Sequence, residues 1–591
     1  KLDFVTPGLS VAVKGAYDNM FKLLKKRAGG SIEYQTAYYK SYFDSKGTME
    51  QTDPDYDKSY VYVPTGTDTP LTYGENTSGR DQNWYIEGRL NYERSFGDHK
   101  VTGLLLYNQS RNYYPTNSSG KELDYLYIPR SYIGLVGRAT WSYLSKYMFD
   151  VNMGYNGSEN FAPGKTRFGL FPSVSAGWVL TGEKFMENQK VVSFLKLRAA
   201  WGRVGNDKGV DTRFMYMPAT WDTSGGGYSF GVDNKNNAPA YAMSRLGNPE
   251  VTWETADKQN YGVDAKFLND RLSLTVDYFN EHRKGILIAP KSTPAIIAAS
   301  LPNLNIGKVD NHGYEIALGW NDYIGKVNYF VNANMSYARN KIVYEDEVPK
   351  KYAYMNETGG PTGRTSGLYK YLRLYQYSDF VTDESGELKL NPSLPQPYVK
   401  VYPGDAMYAD LNGDNIVNDD DQFINGYSER PEYVFGLNLG CNWKGFSFSM
   451  QWTGATHVNK MYEVEYRIPF TNAGSRGLLT YFYDECWTPE NQLGAKYPRP
   501  SNNSQSWNSA PSTLWQQDAS YLRLKNLNVS YTFAGKEFLR KLGINSMAIT
   551  FSGYNLFTFS PLKYIDPESL TNNNGDYPLV KLYSFGLNLN F

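Results

Sequence analysis

The chain has 591 residues, and its 60 Lys and Arg residues are balanced by 60 Asp and Glu, so its formal net charge is zero. A mean hydropathy of −0.55 and the lack of a long apolar run exclude membrane-spanning helices, and a neutral chain lacks the basic excess usual in nucleic-acid-binding proteins. Two cysteines and four histidines are too few for a disulfide scaffold or a spaced zinc site.

Aromatic residues make up 16% of the chain, including 52 Tyr, and Gly is abundant at 54 residues. This composition, with low mean hydropathy, suits a β-protein whose strands alternate apolar and polar residues. At this point a transmembrane β-barrel and a large soluble β-sandwich or propeller both remain open. No signal peptide opens the chain, and its first residues read like the middle of a longer protein, so we expect a fragment.

Period-two alternation predicts about seventeen strands of about ten residues, the length that a tilted strand needs to cross a bilayer. The predicted strands are residues 8–17, 31–40, 84–94, 100–109, 133–143, 147–156, 171–180, 193–201, 258–267, 271–280, 313–320, 327–337, 433–443, 446–454, 521–533, 547–559 and 581–591. A bacterial barrel normally closes with an even number of strands. The odd count means either that one strand is miscounted or that strands are missing on the N-terminal side, and the incomplete beginning of the chain favours the second.

The connections between these strands alternate in length. The short ones are 95–99, 144–146, 268–270, 321–326 and 444–445, and the long ones are 41–83, 202–257, 281–312, 338–432 and 455–520. Counted back from the C-terminal strand, every short connection falls on one side, which we predict to be periplasmic. This segregation is typical of an outer-membrane barrel and favours it over a soluble sandwich. Residues 534–546 contain a predicted short helix that ends at Gly543, and residues 20–30 could also be helical.

One long connection, 338–432, carries a segment with the spacing of an EF-hand calcium loop at residues 410–421. Its oxygen donors at positions one, three, five, seven, nine and twelve are Asp410, Asn412, Asp414, the Ile416 carbonyl, Asn418 and Asp421. Asn415 stands at the sixth position, where Gly is usual, and Asn tolerates a left-handed backbone. Because Asp421 replaces the usual bidentate Glu, we expect a weaker, structural Ca²⁺ site at which Mg²⁺ competes. An acidic surface turn that binds no metal is the alternative.

Two further sets of residues follow from the strand pattern. Aromatic side chains predicted to lie between strands could stack on sugars or contact peptides, although we expect most such rings to pack within the loops. The candidates for substrate contact are Tyr113, Trp221, Tyr228 and Trp507. The last strand alternates most regularly, and its apolar residues are predicted to form the signal read by the barrel-assembly machinery: Tyr583, Phe585, Leu587, Leu589 and Phe591.

Several segments, in the same order along the chain, resemble the SusC/RagA-type TonB-dependent outer-membrane transporters. They are FPSVSAGW at 171–178, FLKLRAAWGRVGN at 194–206, GNPEVTWE at 247–254, FLNDRLSLTVDYF at 267–279, NIGKVDNHGYEIAL at 305–318, YLRLKNLNVSYTF at 521–533 and YNLFTFS at 554–560. The resemblance implies a barrel of about 22 strands in the bacterial outer membrane, whose lumen holds an N-terminal plug. It also implies a SusD-like lipoprotein lid outside and contact with TonB inside.

Against that family pattern, we expect residues 1–591 to be the C-terminal part of the barrel, with the plug and the TonB-contacting region outside this chain. The resemblance implies active import of oligosaccharides, and peptides are the close alternative. A passive porin, a surface adhesin and a soluble calcium-bearing module also remain as alternatives. The sequence contains no nucleophile elbow and no phosphate loop, and we predict no enzymatic activity.

Overall fold

The computed structural model describes most of the chain. The described residues are 4–29, 33–38, 60–65, 69–113, 128–164, 166–208, 213–218, 221–222, 227–243, 246–293, 301–469, 478–500, 507–569 and 579–591. All the structural statements below concern these residues.

Sixteen strands form one antiparallel sheet whose strand order follows the chain order. They are β1 (Leu9–Ala28), β2 (Thr72–Phe96), β3 (His99–Tyr113), β4 (Arg130–Tyr143), β5 (Tyr147–Ser158), β6 (Phe168–Val179), β7 (Val192–Asn206), β8 (Glu254–Phe267), β9 (Leu272–Ile288), β10 (Leu304–Ile324), β11 (Val327–Tyr344), β12 (Tyr433–Trp443), β13 (Phe446–Thr456), β14 (Tyr521–Ala534), β15 (Ser546–Phe559) and β16 (Leu582–Asn590).

Each of these sixteen strands contains or closely overlaps one of the predicted strands. The remaining prediction, 31–40, is wrong as a strand of the large sheet, because Glu33–Tyr38 pairs with Tyr60–Thr65 in a separate two-stranded sheet. Many strands also run past their predicted ends, and β2 reaches 25 residues. Alternation of apolar residues marks only the half-buried part of a strand, whereas backbone pairing continues into polar residues.

The alternation places apolar and polar residues on opposite faces of the sheet. In β12, Phe435, Leu437 and Leu439 face the same side, opposite Met335, Ala333 and Val331 of β11. The residues between them, such as Asn438, pair with polar residues of the neighbouring strands on the other side. The two sides are called the apolar face and the polar face below.

Tight turns join the strands at the short connections. Trp443 lies opposite Phe446, and the two residues between them have positive φ angles, 44° at Lys444 and 89° at Gly445. This conformation matches the right-handed twist of paired strands and favours Gly. A Cβ at Gly445 would lie 2.5 Å from the backbone oxygen of Thr532, so the turn also packs closely against β14.

Short elements fill the long connections. Two-stranded pairs join Trp221–Asp222 with Ala242–Met243, Gly227–Phe230 with Asn236–Pro239, Thr365–Leu368 with Phe423–Asn425, Tyr371–Leu374 with Ala406–Tyr408, Phe380–Thr382 with Leu388–Leu390, Gln396–Pro397 with Ile416–Val417, and Asn459–Met461 with Gln516–Asp518. The α-helices are α1 (Val464–Arg467), α2 (Thr480–Glu485) and α3 (Glu537–Lys541).

The predicted helix before Gly543 is confirmed by α3, and Gly543 follows it with a φ of 71°. The predicted helix at 20–30 is wrong, because β1 continues as a strand through Ala28. Nowhere in the described parts of the chain is a helix both long and apolar enough to span a membrane.

The chain divides into two compact units. The first comprises Lys1–Asn91, Leu104–Val136 and Asn156–Glu159, and within it the Ser131 amide donates a hydrogen bond to Glu159 Oε2 at 3.0 Å. The second comprises Tyr92–Gly103, Gly137–Tyr155 and Asn160–Phe591. All the sites discussed below lie in the second unit, apart from Tyr113.

The second unit has its hydrophobic cores in the long connections. One core, built mainly from 338–432, contains Tyr369, Tyr375, Phe380, Val401, Ala406, Met407, Tyr408, Val417 and Trp507. The other, built mainly from 455–520, contains Val458, Tyr462, Phe482, Cys486, Tyr497, Leu514, Trp515, Ala519 and Leu562. These connections are therefore folded layers, and buried aromatic rings supply most of their packing.

Candidate functional site

A cavity of about 610 Å³ lies where the long-connection ends of β9, β10 and β11 meet residues 361–362 and 428–432. That volume is in the usual range for small-ligand sites. Directly opposed polar residues of three strands line it, because Glu281 pairs with Asn311 and Asn311 pairs with Asn340. The other charged lining residues are Arg283, Lys308, Arg339, Glu345, Arg430 and Glu432.

An ion-pair network fixes one side of the cavity. The Arg283 guanidinium contacts Glu281 at 2.8 Å and Glu254 at 3.1 Å. Lys258, directly opposite Glu281 on β8, contacts the other carboxylate oxygen at 3.2 Å. Charge-assisted contacts of this kind hold a side chain in one position, so Glu281 and Arg283 form a rigid wall.

Two carboxylates of the cavity keep an oxygen without a hydrogen bond. The Glu432 side chain is only 7% exposed, and its Oε1 receives no hydrogen bond from the described residues, although Arg339 Nε lies 3.5 Å away. Glu345 Oε1 is likewise buried without a donor, while its Oε2 contacts Lys291 Nζ at 3.2 Å. Burial raises the pKa of the Glu345 carboxyl, and the positive charge of Lys291 offsets only part of that rise.

Both oxygens have almost no accessible surface, so they are unsatisfied acceptors within the cavity wall and not open contacts for a ligand. A buried acceptor without a donor costs roughly 1–3 kcal/mol, more when it is charged. Arg339 and Arg430 line the same cavity as donors, and its glutamates line it as acceptors. A ligand group that both donates and accepts would pair with both kinds of residue.

Of the aromatic residues predicted to contact substrate, Tyr228 and Trp507 do not line this cavity. Tyr113 is the last residue of β3, so it is not between strands as predicted. Trp221 and Tyr228 lie in the long connection between β7 and β8, where each belongs to a short strand pair. Tyr228 is 68% exposed beside Phe230. Trp507 is 4% exposed and its Nε1 donates to the Ala406 carbonyl at 2.8 Å, which gives it a packing role.

The predicted metal loop is shaped by hydrogen bonds from its own backbone. Asp410 accepts from the amides of Gly413 and Asn415 at 2.7 and 2.8 Å, and Asp414 accepts from Ile416 at 2.9 Å. Asn415 has a φ of 66°, the left-handed backbone expected at the sixth position.

Asp421, the twelfth residue of the loop, is fully buried. Its two oxygens accept from the amides of Leu411 at 2.7 Å and Asn418 at 2.9 Å. Asn418 accepts from the Asp420 amide at 2.7 Å. Across the described parts of the chain, no group of three or more His, Cys, Asp or Glu side chains is placed to hold a metal ion. Asn415 therefore has the predicted backbone conformation, whereas the three predicted acidic ligands do not form such a group in the described structure.

A buried arginine that the sequence did not single out anchors residues 566–568, in the connection between β15 and β16. Arg523 of β14 has a side chain 1% exposed and contacts Asp566 at 2.6 Å and Glu568 at 2.5 Å. Glu568 also accepts from Tyr521 at 2.7 Å and contacts Lys525 at 2.9 Å. This network ties residues 566–568 to β14. One signal in the sequence was available. Arg523 stands within a regularly alternating strand, and two acidic residues, Asp566 and Glu568, follow 43 and 45 residues later.

The cavity, Arg523 and the folded connections all lie at the long-connection ends of the strands. The predicted assembly signal lies at the C-terminal strand instead. Tyr583, Phe585, Leu587 and Leu589 alternate in β16, which follows β15 at the end of the strand order, and each is at least 41% exposed. With Phe591, 78% exposed, they form an apolar stripe, and its reading by assembly machinery stays a prediction.

The chain is similar in sequence to characterised outer-membrane receptors. It is 26% identical to TonB-dependent receptor P26 of Formosa agariphila, over 91% of this chain and 57% of that protein. It is 24% identical to TonB-dependent receptor SusC of Bacteroides thetaiotaomicron, over 78% of this chain and 44% of that protein. The chain spans about half the length of the curated relatives it matches.

The fold is also similar to a solved structure. The RagAB peptide transporter superposes with a TM-score of 0.67 and 19% identity, over 98% of this chain and 60% of that chain. The family model described as "TonB dependent receptor-like, beta-barrel" matches residues 13–556. The chain therefore belongs to the TonB-dependent receptor-like β-barrel family of the bacterial outer membrane.

Proposed function

We propose that the chain forms much of a TonB-dependent importer that carries oligosaccharides across the outer membrane. The family is a class of transporters and receptors rather than of enzymes. In the proposed protein, this chain supplies barrel wall and outer loops, and a plug and TonB-contacting region outside residues 1–591 supply the gate. A SusD-like surface lipoprotein captures the cargo.

The observation that carries the choice of oligosaccharides is the chemistry of the cavity. Glu432 and Glu345 line the cavity as acceptors, and Arg339 and Arg430 line it as donors. A sugar hydroxyl donates one hydrogen bond and accepts others. A neutral, hydroxyl-rich ligand therefore pairs with both kinds of residue without bringing a net charge into the site.

Peptide import is the second candidate, and the similarity in fold to the RagAB peptide transporter favours it. A peptide's ammonium and carboxylate groups could use the same glutamates and arginines. Calorimetric titration of the purified transporter with a panel of neutral tetrasaccharides and a panel of tetrapeptides separates the two. Saturable binding of a saccharide supports our proposal, and saturable binding of peptides alone refutes it.

Two variants connect that measurement to the cavity. Glu432→Gln and Glu345→Gln keep the side-chain volume but replace a carboxylate oxygen by an amide. Each is expected to weaken saccharide binding about tenfold, because a hydrogen bond to a charged acceptor contributes roughly 1.5–3 kcal/mol. Glu429→Gln is the matched control, since Glu429 is exposed and lies outside the cavity lining. Equal losses in all three variants would place the binding site elsewhere.

Energy dependence distinguishes the importer from a porin or an adhesin. Uptake of radiolabelled cargo into intact cells should stop when TonB is deleted, whereas diffusion through a porin should continue. An adhesin should give surface binding without uptake in either strain.

The proposed lipoprotein partner is expected to leave the membrane together with the barrel. Detergent extraction of a tagged transporter should recover one surface lipoprotein in near-equal amount. Recovery of the barrel by itself, at low salt and in several mild detergents, would oppose a stable lid.

We retain Ca²⁺, with Mg²⁺ as competitor, as a proposed structural ion at residues 410–421. The oxygen spacing and the left-handed Asn415 support it, and the backbone hydrogen bonds to Asp410 and Asp421 oppose it by holding the loop without an ion. Asp410→Ala combined with Asp414→Ala should remove one equivalent of metal in elemental analysis of the purified protein. An unchanged metal content would reject the site.

A further inference from the structure

On five adjacent strands, the apolar face ends at a tyrosine. Along β9, for example, Leu272, Leu274 and Val276 lead to Tyr278, and polar residues follow. The tyrosines are directly opposed from strand to strand: Tyr261 of β8, Tyr278 of β9, Tyr314 of β10, Tyr337 of β11 and Tyr433 of β12. Tyrosine is enriched where a membrane protein passes from hydrocarbon to headgroups, so on each strand these rings mark the lipid boundary.

Beyond these tyrosines, the same outward face is rich in basic residues. Arg203, Asp257, His282, Asp310 and Lys341 are directly opposed along five strands. Lys284 lies opposite Lys308, two residues further along β9 and β10. We define the basic patch as Arg203, Lys284, Lys308 and Lys341, which outnumber the two aspartates of this face. Lys308 also borders the cavity described above.

Ion pairing within the patch is incomplete. Asp257 is shared by Arg203 at 2.7 Å and Lys284 at 3.0 Å, and Asp310 contacts His282 at 2.8 Å. Lys308 and Lys341 are exposed, and neither forms an ion pair with another residue of the described structure. Just beyond β11, Glu345 forms an ion pair with Lys291, and Asp346 accepts a hydrogen bond from the Ser292 hydroxyl. Two lysines of this face therefore lack a counter-charge.

We propose that the basic patch binds the phosphate of an anionic lipid headgroup in the outer leaflet of the outer membrane. Neighbouring strands lie about 4.8 Å apart and same-face residues about 6.7 Å apart along a strand, so Lys308 and Lys341, on the adjacent strands β10 and β11, can both reach one phosphate. On the same face of the sheet, the patch follows the tyrosines directly, toward the long-connection ends of the strands. A lipid can therefore lay its chains against Ile316 and Met335 and its phosphate against Lys308 and Lys341.

The test compares two lipids on the purified transporter in phosphatidylcholine membranes. Spin-labelled phosphatidylglycerol and spin-labelled phosphatidylcholine are added separately, and electron paramagnetic resonance reports the immobilised fraction of each. A basic residue near an anionic surface favours binding by about fivefold. We expect the wild-type protein to prefer phosphatidylglycerol by roughly that factor or more, and the combined Lys308→Gln and Lys341→Gln variant to show a ratio near one.

The matched control places the same substitutions on the polar face. Lys196→Gln with Lys266→Gln removes two lysines of neighbouring strands, opposite Asp264 and Phe194 respectively. This control should retain the wild-type preference, as should Lys308→Arg with Lys341→Arg. Heat-modifiable migration on gels confirms that each variant is folded.

Three results would overturn the proposal. One is a wild-type protein that does not distinguish the two lipids. Another is equal loss of preference in the polar-face control. The third is loss of the preference in excess inorganic phosphate at constant ionic strength, which would make the patch a site for free phosphate.

Discussion

Leu437 offers a direct test of which face of the sheet meets lipid. It lies on the apolar face of β12, opposite Ala333 and Trp452. It stands four positions after Tyr433 and six before Trp443, the aromatic residues at the two ends of the strand. Leu437 therefore lies near the centre of the apolar band.

Leu437→Arg should destabilise the folded barrel by about 2–4 kcal/mol, the cost of a charge at the bilayer midplane on the lipid face of such a protein. At about 3 kcal/mol the ratio of folded to unfolded protein falls roughly 150-fold. Asn438→Arg places the same side chain on the polar face, where Asn438 lies opposite Asn332 and Gln451. We expect that variant to cost less than about 1 kcal/mol, because its charge remains in water.

Folding titrations in urea with phosphatidylcholine vesicles give both free energies of unfolding. Tryptophan fluorescence reports insertion and gel migration reports the folded fraction, so the two probes check that unfolding is two-state. Comparable costs for the two variants, or a larger cost for Asn438→Arg, would refute the assignment of faces. The proposed lipid site would then fail with it, since it uses the same assignment.

Three other predictions concern residues whose surroundings are well defined. Arg523→Met should lower the free energy of unfolding by about 3–5 kcal/mol, because it leaves two carboxylates without their buried cation. Chemical denaturation measures this loss, and a loss below about 1 kcal/mol would contradict the network. Burial alone would raise the pKa of Glu568, but hydrogen bonds from Tyr521 and Lys525 and the Arg523 charge lower it. The contribution of Glu568 to stability is therefore complete above the unfolded pKa of about 4.3 and is lost as the pH falls through the lower folded value. The difference in free energy of unfolding between wild type and Glu568→Gln should therefore close over that pH range. A difference that stays constant with pH would contradict this prediction. Gly445→Val should lower the free energy of unfolding by about 1–2 kcal/mol, because Gly445 has a φ of 89°. The same titration measures this loss, and an unchanged stability would contradict the turn geometry.

The fold class could be predicted from the sequence because its main signal is local. Strands β12 and β13 show this: one apolar residue in two, and a change of parity across Lys444 and Gly445, require a hairpin with one apolar face. Neither observation depends on any distant residue. The same reasoning failed at residues 31–40, where a short alternating segment pairs with Tyr60–Thr65 and not with the large sheet. A local pattern does not specify its partner.

The loop at 410–421 is an intermediate case. Its turns could be predicted, because Asp and Asn side chains bond to backbone amides only a few residues away, and Asn415 adopts the expected left-handed conformation. The full burial of Asp421 could not, since it depends on the packing of the whole connection.

The cavity and the buried arginine were decided by tertiary structure. Glu281, Asn311 and Asn340 become neighbours only through the register of three strands, and Arg523 meets carboxylates 43 and 45 residues away. Burial also depends on distant residues, and it is burial that turns Trp507 into a core residue and leaves Glu432 without a donor. The sequence by itself determined which face of each strand is apolar, because that property repeats every two residues. Which charges meet one another depends on how separate segments pack, and no short-range pattern contains that information.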